Sequence, residues 1–115
     1  MRVLTKRVYE ASAPEDGHRL LVMRFWPRGV RKEHVDSWRR DLAPSRELLA
    51  DFRAASIDWA EYAERFHGEM ASQQASIEAL QDARRLVEAA SLTLLCWCHN
   101  ETRCHRTLLR DLITA

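Results

Sequence analysis

Residues 92–97 read Leu-Thr-Leu-Leu-Cys-Trp, a nearly unbroken apolar run. It is too short for a buried helix and lacks the alternation of a strand with one wet face. A run of this kind predicts a strand covered on both faces, so the chain must supply layers on either side of it. The residues just beyond it are equally constraining. Cys98, His99, Cys104 and His105 come within eight positions, and Leu108, Leu109, Leu112 and Ile113 then recur at helical spacing. Residues 91–113 therefore predict a buried strand, a short turn and a helix. All three cysteines and two of the five histidines lie in this stretch, which makes it the first place to look for chemistry.

Composition bounds the rest. A chain of 115 residues makes one domain, 1–115, with room for a real apolar core. The formal net charge of +1 provides no global field to attract nucleic acid or an anionic membrane. No apolar run approaches the ~20 residues of a membrane span, and the first residues lack a signal-peptide core. Three clustered cysteines do not make a disulfide framework, so a cytoplasmic protein with reduced thiols is expected. The only lysines are Lys6 and Lys32, so the basic groups are overwhelmingly arginine. Its planar fork suits carboxylates and phosphates.

Earlier in the chain, residues 2–9 alternate weakly and predict a charged, edge-like strand. Residues 11–18 hold Pro14 and Gly17 and predict a connection. Residues 19–26, with Leu20, Leu21, Val22 and Met23 in a row, predict a second buried strand that Pro27 and Gly29 end. Val35, Trp38 and Leu42 share a helical stripe, so residues 32–42 are expected to be a helix, stopped by Ala43-Pro44. Ser45 is placed to cap a short helix carrying Leu48, Leu49 and Phe52. Asp58 with Glu61 resembles a capping box before Trp59, Tyr62, Phe66 and Met70. Gly68 and residues 72–76 are expected to break this helix from a last long one over 77–90.

The order is thus strand, strand, helices, strand, helix. A long helical crossover usually joins parallel strands, and ligands of open α/β sheets sit beyond the strands' carboxyl ends. If the second and third strands are neighbours, two loops meet there: residues 24–31 (RFWPRGVR) and residues 98–103 (CHNETR). Thr102 as an N-cap would put Cys104 in the first turn of the final helix, where the dipole lowers a thiol's pKa. Arg24, Arg28 and Arg106 would bind an anion, with Cys104 and His105 as the reactive pair. Such a site suits phosphoryl, sulfuryl or acyl transfer. Against this, free cysteine is among the most buried residue types; Cys104, four residues before Leu108, also fits the helix's apolar face, and Cys96 reads as packing. A metal reading takes Cys98, His99, Cys104 and His105, residue types that suit zinc at a spacing unlike the common knuckles. Arg39-Arg40 and Arg84-Arg85 read as solvated helix faces.

Several stretches together resemble one family. Arg7-Val8-Tyr9, Asp16-Gly17, Arg19-Leu20-Leu21-Val22, Trp26-Pro27-Arg28-Gly29-Val30, Asp41-Leu42-Ala43-Pro44-Ser45, Leu94-Leu95-Cys96 and Cys104-His105-Arg106 are similar to the short bacterial members of the domain of unknown function 488 family. The resemblance runs nearly end to end. It implies a compact α/β fold and a bacterial cytoplasmic origin, and it supplies no reaction. The family usually has an acidic residue just before the arginine of the second strand; here that position is Met23.

The expected architecture is a single compact α/β domain with a small, mainly parallel sheet and packed helices. The leading functional expectation is a small anion or phosphate ester bound at the carboxyl edge of the sheet, with a reactive cysteine. A thiol-based metal or redox-responsive protein is the alternative from another class, and a non-catalytic interaction module is the third. The sequence names no cofactor, and it points away from membrane and nucleic-acid partners.

Overall fold

The computed structural model describes residues 2–115. Its sheet has four strands, β1 (Val3–Arg7), β2 (His18–Leu21), β3 (Ser37–Trp38) and β4 (Leu92–Cys96), in the order β1-β4-β2-β3. Every neighbouring pair is parallel. The last strand is therefore inserted between the first two, with Leu94 opposite Thr5 on one side and Leu20 on the other. This is why the apolar run exists: all five residues of β4 are buried. β1, on the outer edge, is half-buried throughout and carries charge, as an unpaired edge requires.

The side-chain period of two sorts β4 and β2 between two layers. Leu92 and Leu94, with Leu20 and Val22, join a core built with all four helices: α1 (Arg46–Arg53), α2 (Trp59–Ser72), α3 (Gln74–Ala89) and α4 (His105–Thr114). Leu48, Phe66, Leu80 and Leu109 are their buried contributions. Leu95 and Leu21 face the other way, with Val8, and are covered by Met23, Trp26, Val30, Val35 and Trp38. One face of the sheet is thus roofed by helices and the other by a loop rich in aromatic side chains. Among the described residues no helix is long and apolar enough to cross a membrane.

Helix starts follow the sequence closely. The Ser45 hydroxyl oxygen accepts from the Leu48 amide at 3.1 Å, while the Ser45 amide donates to Glu69 of α2 at 2.8 Å. One cap therefore also ties α1 to α2. The Asp58 carboxylate accepts from the Glu61 amide at 2.9 Å.

Three expectations are corrected. Residues 32–42 are not a helix but two 3₁₀ turns, Lys32–His34 and Arg40–Leu42, flanking β3. Here the open edge of β2 outcompetes local helical periodicity. The Asp36 amide donates to the Arg19 carbonyl, the Asp36 carboxylate accepts from the Arg19 amide, and the Arg39 amide donates to the Leu21 carbonyl. Arg39 consequently lies beside the sheet edge and pairs with Asp82 of α3 at 2.7 Å, rather than on a solvated helix face. Gly68, finally, does not end α2. The helix runs on to Ser72, and a single extended residue, Gln73, separates it from α3. Phe66 and Met70 are buried on either side of Gly68, and that packing outweighs the ~1 kcal/mol glycine penalty.

Candidate functional site

β4 delivers Cys96 to the carboxyl edge of the sheet. Two residues later the chain is still extended enough for Cys98 to lie on the same side, and the two Sγ atoms are 3.6 Å apart. Trp97, between them, is turned outward and exposed. The chain then bends through residues 99–100. Asn100 Oδ1 accepts from the Thr102 amide and hydroxyl, which sets up a short 3₁₀ turn, Glu101–Arg103. Thr102 is thus inside that turn and does not cap α4. Cys104 itself occupies the N-cap position with extended backbone, and its side chain makes no capping hydrogen bond.

His105, the first residue of α4, is buried. Its Nε2 lies 2.6 Å from the Val22 carbonyl oxygen. A carbonyl can only accept, so Nε2 carries the proton and Nδ1 keeps its lone pair. That lone pair is directed toward Cys104 Sγ, 3.8 Å away. Sγ of Cys96, Sγ of Cys104 and a ring nitrogen of His105 all lie within 4.8 Å of one another.

Arg106 completes the arrangement from below. It is 2 % exposed, and its Nη1 donates to the carbonyls of Lys6, Cys96 and Cys98 at 3.2–3.3 Å. Among the described residues no carboxylate pairs with it, and its Nε is buried without a partner. A buried guanidinium without a counter-charge is costly; the neighbouring sulfurs are the groups able to supply one.

The three thiols do not share that charge equally. The adjacent Cys104 and Cys96 thiols, with the Arg106 guanidinium nearby, hold the Cys98 thiol far below its usual range. Cys104 is pushed strongly up by the two neighbouring sulfurs and by burial. At Cys96 the neighbouring Cys104 favours the thiolate, but Cys98 and burial outweigh it, and the group is raised. Burial lowers His105 and keeps the imidazole neutral.

These groups open onto a cavity of about 270 Å³, lined by all three cysteines and His105. Phe25, Trp26, Phe52, Tyr62 and Trp97 give it an aromatic wall beside Met23, and Arg24, Arg53 and Arg103 also line it. No aspartate or glutamate does, among the described residues. The side chain at Met23, where an acid is usual in the family the sequence resembles, is one of the apolar lining groups. The two loops expected to meet therefore do so, through residues 23–26 on one side and residues 96–98 and 103–105 on the other.

The anticipated arginines separate. Arg24 lines the cavity while its Nε donates to the Pro44 carbonyl at 2.8 Å. Arg28 is exposed and outside the lining, and the Tyr9 hydroxyl donates to its carbonyl. Arg106 sits beneath the cysteines with Nη1 committed to backbone. His99 is exposed and outside the cluster. Sequence reasoning passed over Arg53, which lies over the Trp97 ring at 5.6 Å, and treated Cys96 as packing alone. The signal for Cys96 was present: a Cys-x-Cys pair at a strand end puts both thiols on one face.

Comparison with known proteins places the whole chain. The family model DUF488-N3a, described as the active DUF488-N3 subclade, matches residues 3–115. The chain is 35% identical over 116 residues to the uncharacterized protein YeaO of Escherichia coli (strain K12), covering 96% of each. It is 34% identical over 114 residues to uncharacterized proteins of Mycobacterium bovis and Mycobacterium tuberculosis, covering 97% of this chain and 93% of theirs. No solved structure matches it.

Proposed function

The chain belongs to the DUF488 family, and we propose that it binds a small anion bearing an apolar body and presents that ligand to a reactive cysteine. The observation that carries this reading is the convergence of Arg24, Arg53 and Arg103 with Cys98 on one aromatic-walled cavity free of carboxylates. Arginine forks are suited to phosphate or carboxylate oxygens, and the walls to the remainder of the ligand. Cys98, half-buried and lining the cavity, is the nucleophile. Cys104 and His105, the pair favoured by the sequence, are both buried and act behind it. Cys104 lies against the other sulfurs, and His105, neutral and pinned on Val22, turns its Nδ1 to the Cys104 thiol. Arg106 offsets the charge of a thiolate without touching the ligand. Arg28 has no part in the site. Attack by a thiolate on an acyl, phosphoryl or sulfuryl centre forms a bond to sulfur and expels the leaving group. Three free thiols call for a reducing compartment, the bacterial cytoplasm.

Alkylation tests this with two probes of nearly equal size. Anionic iodoacetate and neutral iodoacetamide are reacted with reduced protein, and each cysteine is read by mass spectrometry. Cys98 is expected to react first and to favour iodoacetate over iodoacetamide relative to glutathione assayed alongside. Inorganic phosphate should suppress that preference, and the double substitution Arg53→Gln, Arg103→Gln should abolish it. Equal preference at Cys98 and glutathione, unaffected by phosphate, would sink the reading.

A further inference from the structure

The same corner of the molecule satisfies the requirements of a metal. We propose that Cys96, Cys98, Cys104 and His105 bind one zinc-class divalent ion, and that its binding silences the thiol at Cys98. The metal site stands by itself; the silencing rests on the thiol reading above.

Distances come first. Tetrahedral zinc with bonds of about 2.3 Å to sulfur and about 2.0 Å to nitrogen sets its ligands about 3.8 Å apart for sulfur pairs and about 3.5 Å for sulfur and nitrogen. Cys96 and Cys98 are 3.6 Å apart, and Cys104 and His105 Nδ1 are 3.8 Å apart. Cys96, Cys104 and His105 fall within 4.8 Å of each other. Cys98 stands outside that trio, 3.6 Å from Cys96, and its side chain turns inward to complete the set around an ion.

The surroundings supply what a metal site needs beyond its ligands. A ligating histidine ordinarily donates its other ring N–H to a carbonyl or carboxylate, which fixes the ring and tautomer. His105 does this with Val22, leaving Nδ1 turned toward the sulfurs. Three thiolates and a neutral imidazole around a divalent ion carry one net negative charge. The buried Arg106, which has no carboxylate partner among the described residues and bonds the carbonyls of Cys96 and Cys98, balances it. Soft sulfur donors select zinc-like ions over magnesium or calcium. The protons balance simply: each protonated thiol that coordinates gives its proton to solvent, and its sulfur lone pair goes to the ion. Cys98 then gives the metal the electron pair that would attack a ligand.

Cobalt(II) is the probe for the site and zinc for the silencing, both on reduced, full-length protein. One equivalent of cobalt should produce sulfur-to-cobalt charge transfer in the near ultraviolet and the intense visible bands of a tetrahedral centre, and zinc should bleach both. Zinc should also protect Cys98 from iodoacetate. Cys98→Ser, at a half-buried position, should weaken cobalt binding at least about tenfold, in line with the cost of disturbing a metal site. Saturating cobalt without a charge-transfer band overturns the metal site; if Cys98 still prefers iodoacetate, the thiol reading survives it. A normal cobalt spectrum together with an indifferent Cys98 supports the metal site and overturns the silencing along with the thiol reading. Full alkylation of Cys98 under zinc, with the cobalt bands intact, overturns the silencing alone.

Discussion

Asp16 is the carboxylate most deeply committed to the fold. It is 1 % exposed and accepts from the Ala13 amide, Lys6 and Arg19. Its own carbonyl takes the Thr93 hydroxyl of β4 at 2.7 Å. Burial by itself would raise its pKa, but the Ala13 amide and the two cations outweigh burial and hold it below the usual range. A depressed carboxylate contributes stability that is fully present above its unfolded pKa, about 3.9, and lost as pH falls through the folded value. The wild type should therefore weaken below about pH 4, and Asp16→Asn should lack that part of the acid limb. At neutral pH the substitution leaves Arg19 buried beside a neutral amide, and urea denaturation should show a loss of about 3 kcal/mol. An unchanged midpoint would mean that the ion cluster contributes nothing net. Residue by residue, the sulfur site follows the same logic. Arg106 and Arg28 look equivalent in sequence, yet one is buried against backbone carbonyls and the other is exposed.

At the scale of elements, the end of α1 carries a correctable fault. The Ala55 amide donates to the Phe52 carbonyl and the Ser56 amide to the Asp51 carbonyl. This is the paired closure of a helix that usually ends on glycine in the left-handed region. Ala55 holds φ at +57° without being glycine. Ala55→Gly should raise stability by about 0.5–1 kcal/mol, the relief of left-handed strain less the entropy of a glycine; a lower melting temperature would refute this. Gly17, by contrast, admits no side chain. It has φ +62°, and a Cβ there would lie 2.1 Å from the Ser91 carbonyl oxygen, which accepts from the His18 amide. That contact joins the start of β2 to the start of β4. β3, only two residues long, is an element that exists because β2 offered an open edge.

Across the whole molecule, the order β1-β4-β2-β3 makes the sheet depend on its last strand. β1 and β2 do not touch as a pair; each is hydrogen-bonded to β4. A chain ending at Ala90 keeps three helices but loses the strand between β1 and β2, the helix that packs on them and every cysteine. It should show no cooperative thermal transition and no tryptophan shift on addition of urea. A cooperative transition in that fragment would mean that the helices and β2 form a unit without β4. In the intact chain, the amides of Leu94 and Leu95 should be among the slowest to exchange, because a central strand opens only when the sheet does.

The legible part of this fold is set by what a sequence records. Apolar periodicity registers burial, so residues 92–97 announced the central strand, Ser45 and Asp58 announced their helices, and the clustered cysteines pointed to the corner where Cys96, Cys104 and His105 come together. The family resemblance rested on the same residues and added no chemistry to them. Periodicity does not register which backbone edge stands open, so residues 32–42, whose Val35, Trp38 and Leu42 fit a helix, became β3 and two short turns. Nor does it register where a buried charge finds its counterpart. That Cys98 rather than Cys104 is the thiol favoured as thiolate, that Cys96 belongs to the cluster and His99 does not, and that Arg24 joins Arg53 and Arg103 on the cavity while Arg28 stays outside were decided by tertiary structure. Hydrogen bonds act over a few ångströms, between groups as near in the chain as Cys96 and Cys98 or as far apart as Val22 and His105. The sequence determined what had to be buried, and the folded chain decided what each buried group faces.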